Sequence, residues 1–337
     1  MKDYSSIVVE SKVCLLRNIN GFNFPCRFGE QEGLKVLNKI ADIILKINDD
    51  FKIYKMSNLP ELDIGIMHEK GLVTNHLIEN AQHSSAVILS KEEDVEIMIN
   101  EQEHLCEKCT MKGLSLISAY DRLESLDNQI LSKLDIAYDD SLGFLTSKLS
   151  NVGTGLKAGI TLFLPALSLA GKIKEITTSL FNQGFDFIPV SNDQMEGGAY
   201  TFTIANSQTI GKRETDYVVK VTEFAIKICE MEIRARNEFL TVTYLDDVKD
   251  KIYRAWGVLT NCYKIGVFEA RQLLGELKMG VALDLVRFKE VGFIENLMVD
   301  ILPYSLTKIS ESKVTISDLD KYRAKFLSGV LKTKRIK

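Results

Sequence analysis

Residues able to do chemistry gather in two places in this chain. Residues 150–155, Ser-Asn-Val-Gly-Thr-Gly, form a run of mostly small side chains bracketed by Lys148 and Lys157. That composition suits a loop that closes around an anion, because exposed backbone N–H groups and ammonium groups both donate to anionic oxygens. The second place is Cys106-Glu-Lys-Cys109, a lone CxxC. A structural zinc site needs two more ligands, and no second CxxC or HxxxH supplies them, so the pair reads as ordinary thiols and no metal is expected.

The elements that must position these residues follow from hydrophobic pattern. Residues 84–89 and 95–100 are short β-rich runs joined by a charged segment, a hairpin signature. Residues 158–164 form a strand just after the small-residue loop. A single helical pattern runs from Pro165 to about Gln183, where Gly184 is a plausible stop. Residues 185–190 and 199–205 are two more strand-like runs around a polar, glycine-rich loop. From Glu214 onward, three-and-four spacing predicts helices over 214–241, 246–262 and 268–285. Hairpins without regular strand–helix alternation imply an α+β fold, an antiparallel sheet flanked by helices, followed by a helical C-terminal domain. The expected division is residues 1–245 and 246–337.

Composition narrows the classes. The 337 residues are 45% hydrophobic and 26% charged, with a net charge of -4. This is ordinary globular composition, and an acidic balance argues against a general nucleic-acid binder. Only the final Leu-Lys-Thr-Lys-Arg-Ile-Lys is locally basic, as a solvated terminus would be. The start of the chain lacks a basic stretch followed by an apolar one, and the longest apolar run, 160–171, is too short for a bilayer and carries Pro165. Six scattered cysteines suit reduced thiols. The expectation is a cytoplasmic protein without membrane partners.

Four segments, in register over nearly the whole chain, carry a resemblance. They are 10–18 (Glu-Ser-Lys-Val-Cys-Leu-Leu-Arg-Asn) with 21–25 (Gly-Phe-Asn-Phe-Pro), 97–105 (Ile-Met-Ile-Asn-Glu-Gln-Glu-His-Leu), 143–158 around the small-residue loop, and 250–262 (Asp-Lys-Ile-Tyr-Arg-Ala-Trp-Gly-Val-Leu-Thr-Asn-Cys). Together they resemble the ATP:guanido phosphotransferases, the phosphagen kinase superfamily, and most closely its bacterial protein-arginine kinase branch. The resemblance implies a phosphagen-kinase catalytic domain and ATP-dependent phosphorylation of protein arginines. In that chemistry arginines clamp phosphates, a carboxylate steers the guanidinium and a thiolate sits beside it.

The positions that should carry those roles are changed. An Arg-x-Arg pair of the family falls on Lys12 and Cys14, while Arg17 is kept. In the pattern Asn-Glu-Glu-Asp-His-[Leu/Ile]-Arg, the catalytic glutamate falls on Gln102 and the arginine on Cys106, while His104 is retained as a structural hydrogen-bonding residue. In Cys-Pro-[Thr/Ser]-Asn-[Leu/Val]-Gly-Thr, the reactive cysteine falls on Lys148, and the arginine beyond the loop on Lys157. A later arginine and glutamate fall on Ile188 and Asp193. A phosphoarginine-recognising Arg-Asp-x-x-Arg-Ala motif becomes Leu319-Asp320-Lys-Tyr-Arg323-Ala324.

Losing one charge-positioning donor from such a site costs roughly 10²- to 10³-fold in rate. The expectation is therefore a pseudokinase, an adaptor or phosphoarginine reader in protein quality control, with protein partners that carry phosphoarginine and with homodimerisation left open. The alternative is a divergent phosphotransferase that uses Lys12, Lys148 and Lys157. It would need a carboxylate from among Glu101, Glu103 and Asp193. Any nucleotide retained would be ATP with magnesium.

Overall fold

The computed structural model describes residues 3–79, 84–190, 200–239, 242–290, 292–311 and 314–334. They cluster into two compact units, one of Met1–Leu162, Glu175–Ile188 and Thr203–Ile228, the other of Phe163–Lys174, Pro189–Phe202 and Cys229–Lys337. The strands, in chain order, are β1 (Val8–Arg17), β2 (Lys52–Lys55), β3 (Ala86–Leu89), β4 (Val95–Ile99), β5 (Leu105–Lys112), β6 (Tyr138–Asp139), β7 (Gly143–Phe144), β8 (Leu156–Phe163), β9 (Phe185–Pro189) and β10 (Thr201–Asn206). Eight of them make one sheet in the order β2-β3-β4-β5-β1-β8-β10-β9, and β6 with β7 makes a small ribbon. Every pairing from β2 to β8 is antiparallel.

Alternation along β1 explains why the sheet has two different faces. Ser11, Val13, Leu15 and Arg17 are buried on one side, while Glu10, Lys12 and Cys14 on the other keep partial exposure. The helices that precede β5 in the chain are α1 (Glu30–Ile44), α2 (Glu61–Glu69) and α3 (Asn75–Glu79), and α4 (Leu116–Leu131) follows it. Buried residues of α4 recur at three-and-four spacing, Leu116, Ala119, Tyr120, Leu123, Leu126, Asp127 and Ile130, and this stripe packs on β1 and β5. Opposite it, an apolar cluster of Met56, Leu72, Val73 and Leu77 covers Val87, Leu89, Met98 and Cys106. That cover reaches only one half of the sheet, and the face over β1, β8 and β9 stays partly open.

After β8 come α5 (Pro165–Leu169) and α6 (Ile173–Phe181). The one helix expected from Pro165 to Gln183 is thus two. Gly171, at φ 69°, ends the first by the left-handed turn that glycine adopts at least cost, with Lys172 N–H bonding back to Leu167 O. The remaining helices are α7 (Glu214–Phe239), α8 (Val242–Asn261), α9 (Val267–Ala282), α10 (Phe293–Asp300), α11 (Pro303–Ile309) and α12 (Leu319–Lys334). In the second unit α8 packs against α9 and α12. Among the described residues, no helix is long and apolar enough to cross a membrane.

The buried face of the first unit is pinned by Arg17. Its Nη2 donates to Asp127 Oδ2 at 2.7 Å and to Glu214 Oε1 at 3.3 Å, and its Nη1 to the carbonyls of Thr154 (2.8 Å) and Leu16 (3.0 Å). The guanidinium carbon lies 3.7 Å from the centre of the Phe144 ring. One side chain thus ties β1 to α4, to the loop before β8, to β7 and to the start of α7. Replacing it strands buried carboxylates. Arg17→Met is expected to lower stability by about 3–5 kcal/mol, read as a shift of the chemical denaturation midpoint; a change within about 0.5 kcal/mol would show that the network carries no such weight.

Candidate functional site

The open face is built by strand register. Cys14 is paired with Lys108 on β5 and with Lys157 on β8, and Lys12 with Thr110 and Gly159, so these side chains share one surface. Burial lowers the pKa of the half-buried Lys157, and the nearby charge of Lys148 lowers it further, while Asp186 and Cys14 act the other way. Asp186 on β9 therefore faces the same pocket, and Ile188, two residues on, is exposed beside it. Lys12 reaches Glu10 at 3.2 Å. Lys108 meets Glu96 at 2.7 Å, yet burial outweighs that partner and pushes the Glu96 carboxyl up to about 7.

Cys106 faces the same side as Cys14, and the two sulfurs are 3.2 Å apart. Cys109, three residues along a strand, must point to the opposite face, so the CxxC motif cannot act as a chelating pair. Among the described residues no cluster of three or more His, Cys, Asp or Glu side chains could hold a metal. The partnership of Cys106 with Cys14 was invisible in the motif; only the register of β1 against β5 reveals it. Asp186 and the Glu96–Lys108 pair were missed for the same reason.

The segment before β5 joins the loop through Glu103, which is fully buried. Its carboxylate accepts from Asn18 Nδ2 (2.6 Å), from Ser147 N (2.9 Å) and from Ser147 Oγ (2.8 Å). Gln102, whose carbonyl accepts from Ser147 Oγ at 3.0 Å, is thereby brought to the same junction as Lys148, the exposed residue next along the chain. Glu101 is occupied as well, accepting from Thr74 Oγ1 at 2.7 Å and from the Gln102 N–H. His104 accepts at Nδ1 from Ile19 N–H (3.0 Å), which leaves Nε2–H to donate to Asn23 O (3.0 Å), with the Phe28 ring stacked on it.

Four of the six amides of the small-residue loop are turned inward. The N–H groups of Asn151, Val152, Gly153 and Thr154 donate to the carbonyls of Lys148, Leu149, Phe144 and Thr209, and Leu156 N–H to Thr154 Oγ1. The anion-cradle reading of its composition is corrected on this point, because those donors hold the loop itself. The glycines serve close approach: a Cβ on Gly153 (φ 114°) would lie 2.3 Å from Thr209 O, and one on Gly155 (φ 64°) 2.6 Å from Leu16 O. Beside the loop lies a cleft of about 690 Å³ lined by Leu142, Leu145, Leu149, Val152 and Ile210, with Leu149 91% exposed.

The structure therefore brings Lys12, Cys14, Cys106, Lys157 and Ile188 to one sheet face, with Gln102 and Lys148 at the junction beside it. Asp193 lies outside the described residues. Asp320 and Arg323 belong to the second unit. Arg323 is buried, donating from Nε to Ile301 O (2.9 Å) and from Nη1 to Ile265 O (2.8 Å) and to Asp320 Oδ1 (2.5 Å). Asp320 stays half exposed, and Leu319 is turned inward. Arg323 is thus a tie between backbone segments, and a ligand would engage Nε or Nη1 only by breaking those bonds.

Fold and site define a class. The sequence pattern of the ATP:guanido phosphotransferase C-terminal catalytic domain matches residues 35–235, and that of the protein-arginine kinase McsB C-terminal domain matches 245–336. Among solved structures, the fold is similar to the duplicated taurocyamine kinase from Schistosoma mansoni with bound transition state analog components (TM-score 0.65, 20% identity, covering 78% of this chain and 39% of that one). It is similar also to a lombricine kinase (TM-score 0.61, 19% identity, covering 69% and 67%). A protein-arginine kinase of Geobacillus kaustophilus is 31% identical over 332 residues, 97% of this chain and 91% of its own length. One of Clostridium tetani is 29% identical over 330 residues, covering 98% and 96%. The chain belongs to the protein-arginine kinase family of ATP-dependent guanido phosphotransferases.

Burial lowers the His104 pKa to about 4, against a weaker raising effect of its bond to Asn23. A depressed histidine stabilises the fold fully above its unfolded value near 6.5, and that stability is lost as pH falls toward 4. The loss is on the order of 3 kcal/mol. Glu96, with a raised pKa, acts with opposite sign between its usual value and about 7, so the informative quantity is a difference. The stability gap between the parent chain and His104→Phe should shrink from pH 7 to pH 4.5, measured by urea unfolding; a constant gap would contradict the neutral, buried imidazole.

Proposed function

We propose that this chain is a pseudokinase of the protein-arginine kinase family that works by binding proteins, as an adaptor in cytoplasmic protein quality control whose partners carry phosphoarginine. The observation that carries this reading is a division of labour among the family positions. Where the sequence keeps the family pattern, the residues hold the fold: Arg17 ties five elements together, Asn100 donates to Gly33 O and Ser84 O, His104 is walled in, and Gly153 and Thr154 lock the loop. Among the described residues of the first unit, the departures Lys12, Cys14, Gln102, Cys106, Lys148, Lys157 and Ile188 lie on the open face or at its junction.

The donor set on that face does not fit a magnesium–ATP triphosphate. Arginine forks hold phosphate oxygens in pairs. Three of the corresponding positions here are Cys14 and Cys106, in contact with each other, and the exposed Ile188. Lys12 and Lys108 are matched to Glu10 and Glu96, which leaves Lys148 and Lys157 as the local cationic excess. Of the carboxylates named for steering a guanidinium, Glu103 is spent on Asn18 and Ser147 and Glu101 on Thr74 and Gln102, while Asp193 lies outside the described residues. The exposed apolar rim of Leu142, Leu149 and Ile210 supports a protein-binding role, since such patches mark interaction surfaces. Asp320, the second unit's half-exposed carboxylate, is already paired with the buried Arg323, and only its outward side is open to a ligand guanidinium.

The competing reading, a divergent kinase, is favoured by one observation: Lys148 and Lys157 remain close together beside Cys14 and Asp186. Incubating the chain with magnesium–ATP and casein, followed by phosphoarginine mapping, separates the two. No phosphoarginine above the enzyme-free control is expected. Phosphoarginine that depends on ATP and vanishes in Lys157→Ala would establish the divergent kinase instead.

A further inference from the structure

Cys14 and Cys106 stand on adjacent antiparallel strands, one in register with Lys108 and the other with Leu16, so they sit diagonally on one face. Their sulfurs are 3.2 Å apart, so a disulfide requires an approach of about 1.2 Å, within the reach of small side-chain rotations. The other cysteines are placed differently: Cys26 is exposed, Cys109 faces the opposite side of β5, Cys229 is buried on α7, and Cys262 follows α8. The two sulfurs are also unequal. Cys14 is partly exposed, between Lys108 and Lys157 on its neighbouring strands, so it is the sulfur of the pair that a small disulfide can reach from solvent. Cys106 is buried, and its contact with Cys14, together with burial, raises its pKa, so it keeps its proton longer.

We propose that Cys14 and Cys106 are a redox couple, with Cys14 as the attacking thiol and Cys106 as the resolving thiol, which closes into a cross-strand disulfide by exchange with a low-molecular-weight disulfide. The Cys14 thiolate attacks one sulfur of the small disulfide, whose S–S bond breaks to release one small thiolate and leave a mixed disulfide on Cys14. Cys106 then gives up its proton and attacks Cys14 Sγ, forming the β1–β5 bridge and expelling the second small thiolate. Two protein thiols are oxidised by two electrons, the small disulfide is reduced to two thiols, and the protons of the cysteines end on the leaving groups. This modification site rests on strand register and sulfur proximity, independently of whether the face binds nucleotide.

The test is to expose the folded full-length chain to oxidised glutathione, alkylate the remaining thiols and map the peptides by mass spectrometry. Expected are the loss of two of the six alkylatable thiols and a peptide linking Cys14 to Cys106. In Cys106→Ser, glutathione should stay attached to Cys14, and in Cys14→Ser, Cys106 should remain reduced; far-ultraviolet circular dichroism checks that both variants stay folded. Six alkylated thiols after exposure, a bridge between any other cysteines, or glutathione on Cys14 of the unsubstituted chain without closure would each overturn the couple.

Discussion

A fully buried guanidinium is costly unless its donors are matched, and Arg17 is matched on all sides. Asp127 and Glu214 balance its charge, two carbonyls take the remaining donors, and the Phe144 ring covers its face. The small-residue loop inherits its position from this arrangement, because Thr154 O must reach Arg17 and Gly155 must pass against Leu16. Burial, and Asp127 alongside, raise the pKa of Glu107 well above the usual carboxylate range, which opposes a third negative charge beside a single guanidinium. Everything on the far side of β1, including Lys12 and Cys14, is placed as a consequence of how its alternate residues are anchored.

The two faces of the sheet have therefore been free to differ in what they keep. Against α4 and α7, a change costs folding energy, since it would orphan a buried charge or a backbone carbonyl. On the open face Cys14, Lys157 and Ile188 are only partly buried or exposed, so a substitution there disturbs the fold less. On the proposed reading, a protein-arginine kinase architecture without a matching phosphate clamp is a stable outcome of that asymmetry. The contact between Cys14 and Cys106 fills the space between β1 and β5 on that face.

Much of the fold was legible because its signals are local. The hairpin over 84–100, the strand after the loop and the helices beyond Glu214 all announce themselves by period, and β3, β4, β8, α7, α8 and α9 lie where that pattern places them. The break at Gly171 was not legible, since Pro165 and the apolar spacing on both sides agree with one helix. The site was harder to read, for a physical reason. Family resemblance named Lys12, Cys14, Cys106, Lys157 and Ile188, which the register places on one face, but it could not tell that most of the loop's amides bond internally, that Glu101 and Glu103 are hydrogen-bonded within the fold, or that Arg323 is buried against carbonyls. Those facts depend on partners distant in sequence, such as Thr209 for Thr154 and Ile301 for Arg323.

On the proposed reading, the open face lacks the charge arrangement to hold a nucleoside triphosphate. Isothermal titration of the full chain with magnesium–ATP tests it most directly. No saturable heat is expected up to millimolar nucleotide. A one-to-one isotherm with a micromolar dissociation constant that is abolished in Lys157→Ala would contradict it, and would show that the lysines on this face do the work that the absent arginines do elsewhere in the family.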